Sequence, residues 1–196
     1  QTIGTREQAL NPIPEIAAAA RQLGHVHLDV DTDGITRAVF LREGMQERLW
    51  PAFGVAMLAA AGDPGGVLQA RPELLDPRGE IPSPPQWQRK NHNIISFAGE
   101  PGHFPTLSYI DVLRGNIPAG ALAGKLVLVG ATATGIGDVF ATPAAGSQRL
   151  MPGVEVNANV LDGLLQQRHV TVASPLANHA LNLGAVLAGL LGLLWL

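Results

Sequence analysis

The fold is decided by residues 124–165, GKLVLVGATATGIGDVFATPAAGSQRLMPGVEVNANVLDGLL. Leu126–Val129 is an apolar run that does not alternate and ends at Gly130, which predicts a buried strand. Residues 131–152 show neither a helical nor a strand period, and loops of this length in a compact domain are usually functional or disordered. Beyond Gly153 the apolar residues follow helical spacing: Val156, Val160, Leu161, Leu164 and Leu165. Strand, loop and helix form a βα unit, and in open α/β sheets ligands bind at the carboxyl ends of the strands.

The remainder of the chain alternates predicted helices and strands. Three further helices are predicted, over Ile13–Leu23, Pro51–Ala61 and Ser108–Leu113. A β-hairpin is predicted over His25–Leu41, with its turn at Asp31–Gly34, and a short strand over Asn93–Phe97. Residues 63–88 are rich in Pro, Gly and charge and predict a surface excursion. This order indicates an α/β fold, with a mixed β-sheet and flanking helices.

Composition excludes several classes of function. The net charge of −3 gives no electrostatic case for nucleic-acid binding, so no nucleic-acid partner is expected. The chain contains no cysteine, which excludes a disulfide framework and thiolate chemistry. The N-terminal residues do not have the basic and apolar pattern of a signal peptide.

The last part of the chain is strongly apolar. Residues 169–196 contain no Asp, Glu, Lys or Arg, and residues 176–196 are apolar except for Asn178, His179 and Asn182. A helix of this length matches the thickness of a bilayer. The sequence therefore predicts a folded domain over 1–172, followed by one transmembrane helix over 173–196; the alternatives are an internal core helix or an apolar tail that packs on a partner.

Polar residues of the long loop and the following helix are candidate ligand contacts. The loop and the helix start contain Thr132, Thr134, Asp138, Thr142, Ser147, Glu155, Asn157 and Asn159. The functional interpretation is a polar pocket at the end of the strand, with Asp138 and Glu155 or Asn157 on a small ligand. The alternative is structural: Glu155 opposes the helix dipole, and Asp138 and Thr142 order the loop.

The hairpin turn carries three carboxylates that resemble half of a calcium loop. Asp29, Asp31 and Asp33 precede Gly34, but Phe40 stands where the bidentate Glu is required, which favours an ordinary turn. Arg37 either pairs with one of these aspartates or is a solvated charge.

No cofactor or metal site is predicted. Gly124-Lys125 precedes the predicted strand instead of following it, so it does not form a phosphate loop, and Gly135 and Gly137 lack the third glycine of a dinucleotide fingerprint. The six histidines show no metal-ligand spacing, although His25 and His27 would share a strand face. No nucleophile elbow or carboxylate dyad is present, and no enzyme activity is expected of this chain.

Three blocks of residues occur in the order of a known family pattern. The first block contains Asp31, Asp33, Gly34 and Arg37. The second contains Gly124, Lys125, Gly130, Ala131, Thr132, Asp138, Thr142 and Pro143, and the third Pro152, Gly153, Val154, Glu155 and Ala158. Followed by an apolar helix, this pattern over residues 24–165 resembles the second class of CHASE-type sensor domains, CHASE2. Small departures occur at His27 and Asn157.

The resemblance implies an extracytoplasmic domain that follows one N-terminal membrane helix and precedes several more. It also implies a cytoplasmic output: a cyclase, a diguanylate cyclase or phosphodiesterase, a histidine kinase or a Ser/Thr kinase. The chain is then expected to be the C-terminal portion of such a domain, with residues 1–172 on the periplasmic side of the cell membrane.

The resulting hypothesis is a sensory input domain that binds an unknown small molecule, contacts the membrane and forms a homodimer. The candidate ligand contacts are Thr132, Asp138, Thr142, Glu155, Asn157, Asp31, Asp33 and Arg37. Two alternatives stay open, namely a membrane-anchored hydrolase using Asp138 and Glu155 as acid and base, and a structural dimerisation module.

Overall fold

Helices alternate with antiparallel strands along the chain. The structure is a computed structural model that describes residues 11–80, 86–133, 138–146, 149–171 and 174–194. In chain order the elements are α1 (Pro14–Ala19), β1 (Ala38–Met45), β2 (Arg48–Pro51), α2 (Phe53–Ala60), α3 (Val67–Ala70), a 3-10 helix (Pro72–Leu75), β3 (Trp87–Ile94), α4 (Tyr109–Arg114), β4 (Val139–Phe140), β5 (Met151–Pro152), α5 (Gly153–Leu165) and α6 (Pro175–Leu194).

The main sheet has three strands in the order β2-β1-β3. Both pairings are antiparallel, with Gly44 opposite Leu49 on one side of β1 and Val39 opposite Asn93 on the other. A second sheet consists of β4 and β5, which also pair antiparallel. The prediction of α/β structure with flanking helices is confirmed, but these sheets are antiparallel and not mixed. Among the described residues, parallel pairing is confined to the bridges His25–Ala52 and Ile35–Ala141.

Helix α5 packs against α2 and forms the centre of the core. Its bounds, Gly153–Leu165, agree with the helix predicted from apolar spacing. Val156 and Val160 are buried together with Leu58 of α2 and Leu41 of β1. The two helices approach closely at Gly54, where an added Cβ would lie 3.5 Å from the Leu161 backbone. Helix α2 falls within its predicted range, and α4 begins within its own and ends one residue beyond it, at Arg114.

The predicted buried strand over Leu126–Val129 is wrong. The segment has no strand pairing in the described part of the chain, and Val127 and Val129 are exposed. Leu126 and Leu128 are partly buried and pack on the core beside α5. Leu126 and Leu128 are apolar because they pack on the core beside a helix. Apolar content alone does not show whether a segment pairs with another strand. The expected βα unit is therefore absent there, and with it the argument that placed a ligand at the end of a parallel strand.

Residues 63–88 contribute to the core instead of forming only a surface excursion. Val67, Leu68 and Leu74 are buried. Asp63 orders the entry to α3, because its carboxylate accepts hydrogen bonds from the backbone N–H groups of Leu68 and Gln69, both at 2.9 Å. The Pro and Gly residues of this region therefore bound short helices that bury apolar side chains.

The hairpin predicted over residues 25–41 is only partly present. The turn at Asp31–Gly34 is confirmed, with Gly34 N–H donating to the Asp31 carbonyl at 2.8 Å. Beyond it the two arms share one antiparallel bridge, Asp29–Ala38. β1 extends to Met45 and pairs with β2 and β3, because these longer ladders satisfy more backbone groups. The strand predicted at residues 93–97 begins earlier, at Trp87.

Helix α6 is 20 residues long and carries exposed leucines along its length. Among the residues that the structure describes, no helix reaches the combined length and hydropathy needed to cross a bilayer. The predicted transmembrane helix is therefore not confirmed.

Candidate functional site

Three of the sequence-predicted residues meet at the first turn of α5. Asp138 lies directly against Gly153: the Gly153 N–H donates to the Asp138 carbonyl at 3.0 Å. A Cβ added at Gly153 would lie 2.4 Å from Asp138 Oδ1, so a larger residue there would displace the Asp138 carboxylate. Asn157 is buried, and its Nδ2 donates to the Gly153 carbonyl at 2.9 Å. The carboxylate of Asp138 near the helix start is favoured by the helix dipole.

Glu155 fastens an adjacent loop to α5. Its Oε1 accepts hydrogen bonds from the backbone N–H groups of Gly102 at 2.7 Å and His103 at 3.1 Å. An oxygen that already accepts two amide protons is occupied by a structural contact. This geometry favours the loop-ordering interpretation of Glu155 over the acid–base role of the hydrolase alternative.

Asn159 holds the same loop against α5. It belonged to the polar residues named from the sequence but not to the final set of candidate ligand contacts. The side chain is fully buried. Its Oδ1 accepts from the Ala98 N–H at 2.8 Å, and its Nδ2 donates to the Glu155 carbonyl at 2.9 Å. The polar residues of α5 therefore hold residues 98–103 against the helix.

The two threonines of the candidate set have different surroundings. Thr132 is exposed, whereas Thr142 is buried and its hydroxyl has no hydrogen-bond partner among the described residues. The buried hydroxyl of Thr36 is in the same situation, and the Thr36 N–H donates to the Ala141 carbonyl at 2.8 Å. This backbone bond joins the turn at residues 31–37 to the segment that leads to α5. Thr134 and Ser147 lie outside the described residues.

Asp31, Asp33 and Arg37 form one exposed cluster across the turn. The Arg37 guanidinium donates to Asp31 Oδ2 at 2.6 Å and to Asp33 Oδ2 at 2.7 Å. This pairing lowers the pKa of Asp33 to about 2. Of the two alternatives for Arg37, pairing is the one observed, and its guanidinium engages both aspartates. No group of three potential metal ligands occurs in the described part of the chain.

One cleft in the structure was not predicted from the sequence. It lies between residues 124–128 and the later turns of α5, with a volume of about 630 Å³. Its walls are formed by Ala61, Pro64, Phe104, Gly124, Lys125, Leu126, Leu128, Ala158, Leu161, Asp162 and Leu165. Most of these side chains are apolar, so the sequence offered no polar signature. The only available signal was the apolar run at residues 126–129, which was assigned to a strand.

The charged groups of the cleft differ in their partners. Asp162 accepts a hydrogen bond from Gln166 Nε2 at 2.7 Å and pairs with Arg168. Lys125 forms no ion pair with any described residue. The cleft therefore offers an apolar surface with a cation at its margin.

The end of the segment 124–130 is fixed to the start of α5. A Cβ added at Gly130 would lie 2.4 Å from Cβ of Val154, so the backbone passes directly over that side chain. One wall of the cleft is thereby positioned relative to the helix that forms the other wall.

Comparison with known proteins gives one match. No curated protein and no solved structure matches the chain at a significant level. The sequence model of the CHASE2 domain matches residues 3–195. CHASE2 domains are extracytoplasmic, sensory and not catalytic. Since the match spans nearly the whole sequence, and the three motif blocks lie within it, the chain belongs to the CHASE2 domain family.

Proposed function

We propose that the chain is the extracytoplasmic sensory input of a membrane-bound bacterial signal transducer and that its ligand binds in the cleft beside α5. Membership of a family of sensory domains supports the sensor role. The observation that supports this site is the cleft lined by α5, the helix that precedes α6 in the chain.

The dimensions and chemistry of the cleft define a class of ligand. Small-molecule sites usually enclose about 300–1,000 Å³ and combine apolar walls with few polar groups. The cleft of about 630 Å³ falls in this range. Since Asp162 is paired and Lys125 stands at the margin, we expect a small apolar molecule that carries one anionic group.

Helix α5 links the cleft to α6. The helix lines the cleft with Ala158, Leu161 and Leu165, and it buries Val156 and Val160 in the core. A ligand that favours one position of α5 alters the packing of this helix and thereby acts on α6, the next helix in the chain. The signal requires that the ligand bind two arrangements of the domain with different affinity.

The membrane part of the proposal rests on α6. Leu181, Leu187 and Leu190 are all at least half exposed, and burying such side chains in an apolar environment is favourable. We propose that the bilayer provides this environment and that further membrane helices pass the signal to a cytoplasmic cyclase, phosphodiesterase or kinase. The homodimer is part of the same proposal.

The sequence-predicted residues remain candidate ligand contacts. Asp138, Glu155 and Asn157 lie at the first turn of α5, whereas the cleft involves its later turns. The other candidates lie on segments that contact the first turn of α5 directly or through Ala141: Thr132, Thr142, Asp31, Asp33 and Arg37.

A small aromatic carboxylate, 4-phenylbutyrate, is a suitable probe for the cleft. A ligand present at a hundred times its Kd adds about 2.7 kcal/mol to the stability of the folded state, so the melting temperature of the full chain should rise. Ala158→Phe places a ring in the cleft and should abolish the rise. Ala19→Phe, on the exposed face of α1, is the matched control and should keep it. An equal rise in both variants would contradict the proposed site.

Transmission is tested with the same probe. The chain has no cysteine, so Gln166→Cys and Leu187→Cys provide a unique pair of spin-label positions. We expect 4-phenylbutyrate to change the distance between the labels, and the change to disappear with Ala158→Phe. Binding without any change in distance would contradict the coupling to α6.

A further inference from the structure

A buried carboxylate joins the first extended segment to the sheet. Glu43, on β1, is 1% exposed. Its Oε2 accepts a hydrogen bond from His27 Nδ1 at 2.8 Å and another from Trp87 Nε1 at 3.1 Å. The burial of Glu43 was not predicted from the sequence, whereas the spacing of His25 and His27 indicated a common strand face.

Charged and titratable groups from two parts of the chain face this contact. His25 and Asp29 come from the same segment as His27, and Arg89 comes from β3. Arg89 Nε lies 3.6 Å from Glu43 Oε1, and Arg89 Nη1 lies 3.4 Å from Asp29 Oδ1. The carboxylate of Glu43 therefore depends on His27 for its closest charged partner.

The two histidines have opposite surroundings. His25 is half-buried, and its two ring nitrogens are buried without a hydrogen-bond partner of good geometry among the described residues. Burial lowers the pKa of His25, and the nearby charge of Glu43 and the Phe40 backbone only partly offset this. The hydrogen bond that His27 donates to the Glu43 carboxylate raises the pKa of His27. Burial pushes the pKa of Glu43 upward, but the hydrogen bonds from His27 and Trp87 outweigh it, and the net pKa is lowered.

We propose that residues 25–29 dock on the sheet through a proton-dependent contact between His27 and Glu43, so that the domain responds to external pH independently of its ligand. When His27 is protonated, it forms a charge-assisted hydrogen bond to a buried carboxylate. When His27 is neutral, the buried charge loses its closest counter-ion, which is costly.

The direction of the effect follows from the two shifts. The contribution of His27 is complete below pH 6.5, its ordinary pKa, and is lost as the pH rises through its raised folded pKa. The contribution of neutral His25 is present above pH 6.5 and is lost as the pH falls through its lowered folded pKa. Docking is therefore strongest near pH 6.5, and it weakens toward alkaline pH through His27 and toward acid pH through His25.

The docked segment is connected to the start of α5. His25 pairs with Ala52, and the chain beyond Asp29 enters the turn whose Ile35 bridges to Ala141. Release of the segment therefore loosens a strand connection that continues through β4 and β5 into α5. Protonation of His27 would thus act on the start of α5, and a ligand in the cleft would act on its later turns.

The test is a histidine titration by NMR combined with urea unfolding of the full chain from pH 5 to pH 9. We expect the His27 titration midpoint to lie above 6.5 and to fall to 6.5 or below in Glu43→Gln. The urea midpoint of the wild type should decrease from pH 6.5 to pH 8.5, and this decrease should be absent in His27→Gln.

The controls separate the proposal from a purely structural contact. His103→Gln alters an exposed histidine whose side chain lies away from this cluster, and it should keep the wild-type pH profile. If Glu43→Gln fails to fold, His27→Gln still decides the matter, because His27 is half exposed and tolerates replacement. A His27 midpoint at or below 6.5 in the wild type, or identical pH profiles for wild type and His27→Gln, would overturn the proposal.

Discussion

At the scale of single residues, polar side chains of α5 hold neighbouring segments in position. Asn159 connects the Ala98 N–H to the helix, and Glu155 connects residues 102 and 103 to the same helix. Such bonds contribute little net stability when formed, but leaving a buried partner unsatisfied is costly. The wall of the cleft at Phe104 therefore depends on two side chains that do not line the cleft.

Asn159→Ala should lower the free energy of unfolding by about 1–3 kcal/mol, since the partly buried Ala98 N–H loses its acceptor. The loss is measured by urea unfolding. Asn116→Ala, at an exposed position, is the control and should change the stability by less than about 0.5 kcal/mol. Equal stability of the two variants would show that the Ala98 N–H finds another acceptor.

At the scale of elements, two glycines lie close to α5, and they differ in whether the structure leaves room for a Cβ atom. Gly130 leaves no room for a side chain beside Val154, because a Cβ would lie 2.4 Å away. At Gly54 on α2, a Cβ would meet Leu161 at 3.5 Å, which is an ordinary van der Waals distance. The same substitution is therefore expected to have opposite effects at the two positions.

Gly130→Ala should destabilise the chain by about 1–3 kcal/mol, because the segment 124–130 must move away from α5. Gly54→Ala should stabilise it by about 0.5–1 kcal/mol, since alanine is the better helix former and its Cβ fits. Chemical denaturation of both variants measures the two signs. Destabilisation of similar size in both would mean that α2 and α5 are packed more tightly than these distances indicate.

Elements with a helical period could be predicted from the sequence, and elements that depend on distant partners could not. Helix α5 was correct because Val156, Val160 and Leu164 mark one buried face within a single segment. The strand predicted at residues 126–129 was wrong because Leu126 and Leu128 pack on the core without a strand partner, which local sequence does not reveal. For the site, the Arg37 pairing was predictable from nearby residues, whereas the cleft and the Glu43 cluster combine residues from remote parts of the chain.

At the scale of the whole molecule, α6 presents leucines that need an apolar environment. Leu187 is 50% exposed in the second half of the helix, and Leu113 on α4 is 64% exposed. If the bilayer covers α6, a charge is costly at Leu187, by about 2.5–3.5 kcal/mol near the centre of an inserted helix. The same charge at Leu113 has no such cost if α4 remains in water.

We therefore expect the full chain to float with phosphatidylcholine liposomes in a density gradient, Leu187→Asp to reduce the floating fraction, and Leu113→Asp to leave it unchanged. A wild-type chain that stays at the bottom of the gradient would contradict the membrane part of the proposal. Reversal of the two variants would assign the lipid contact to α4.

The position of β3 at the margin of the main sheet has a consequence for solubility. A strand at such a margin can recruit a strand from another molecule, and charged side chains, especially lysine, discourage this. β3 carries Arg89 and Lys90, and Lys90 pairs with Glu80. These charged side chains thus discourage another molecule from adding a strand to β3. This protection matters most while newly synthesised chains are concentrated and not yet assembled.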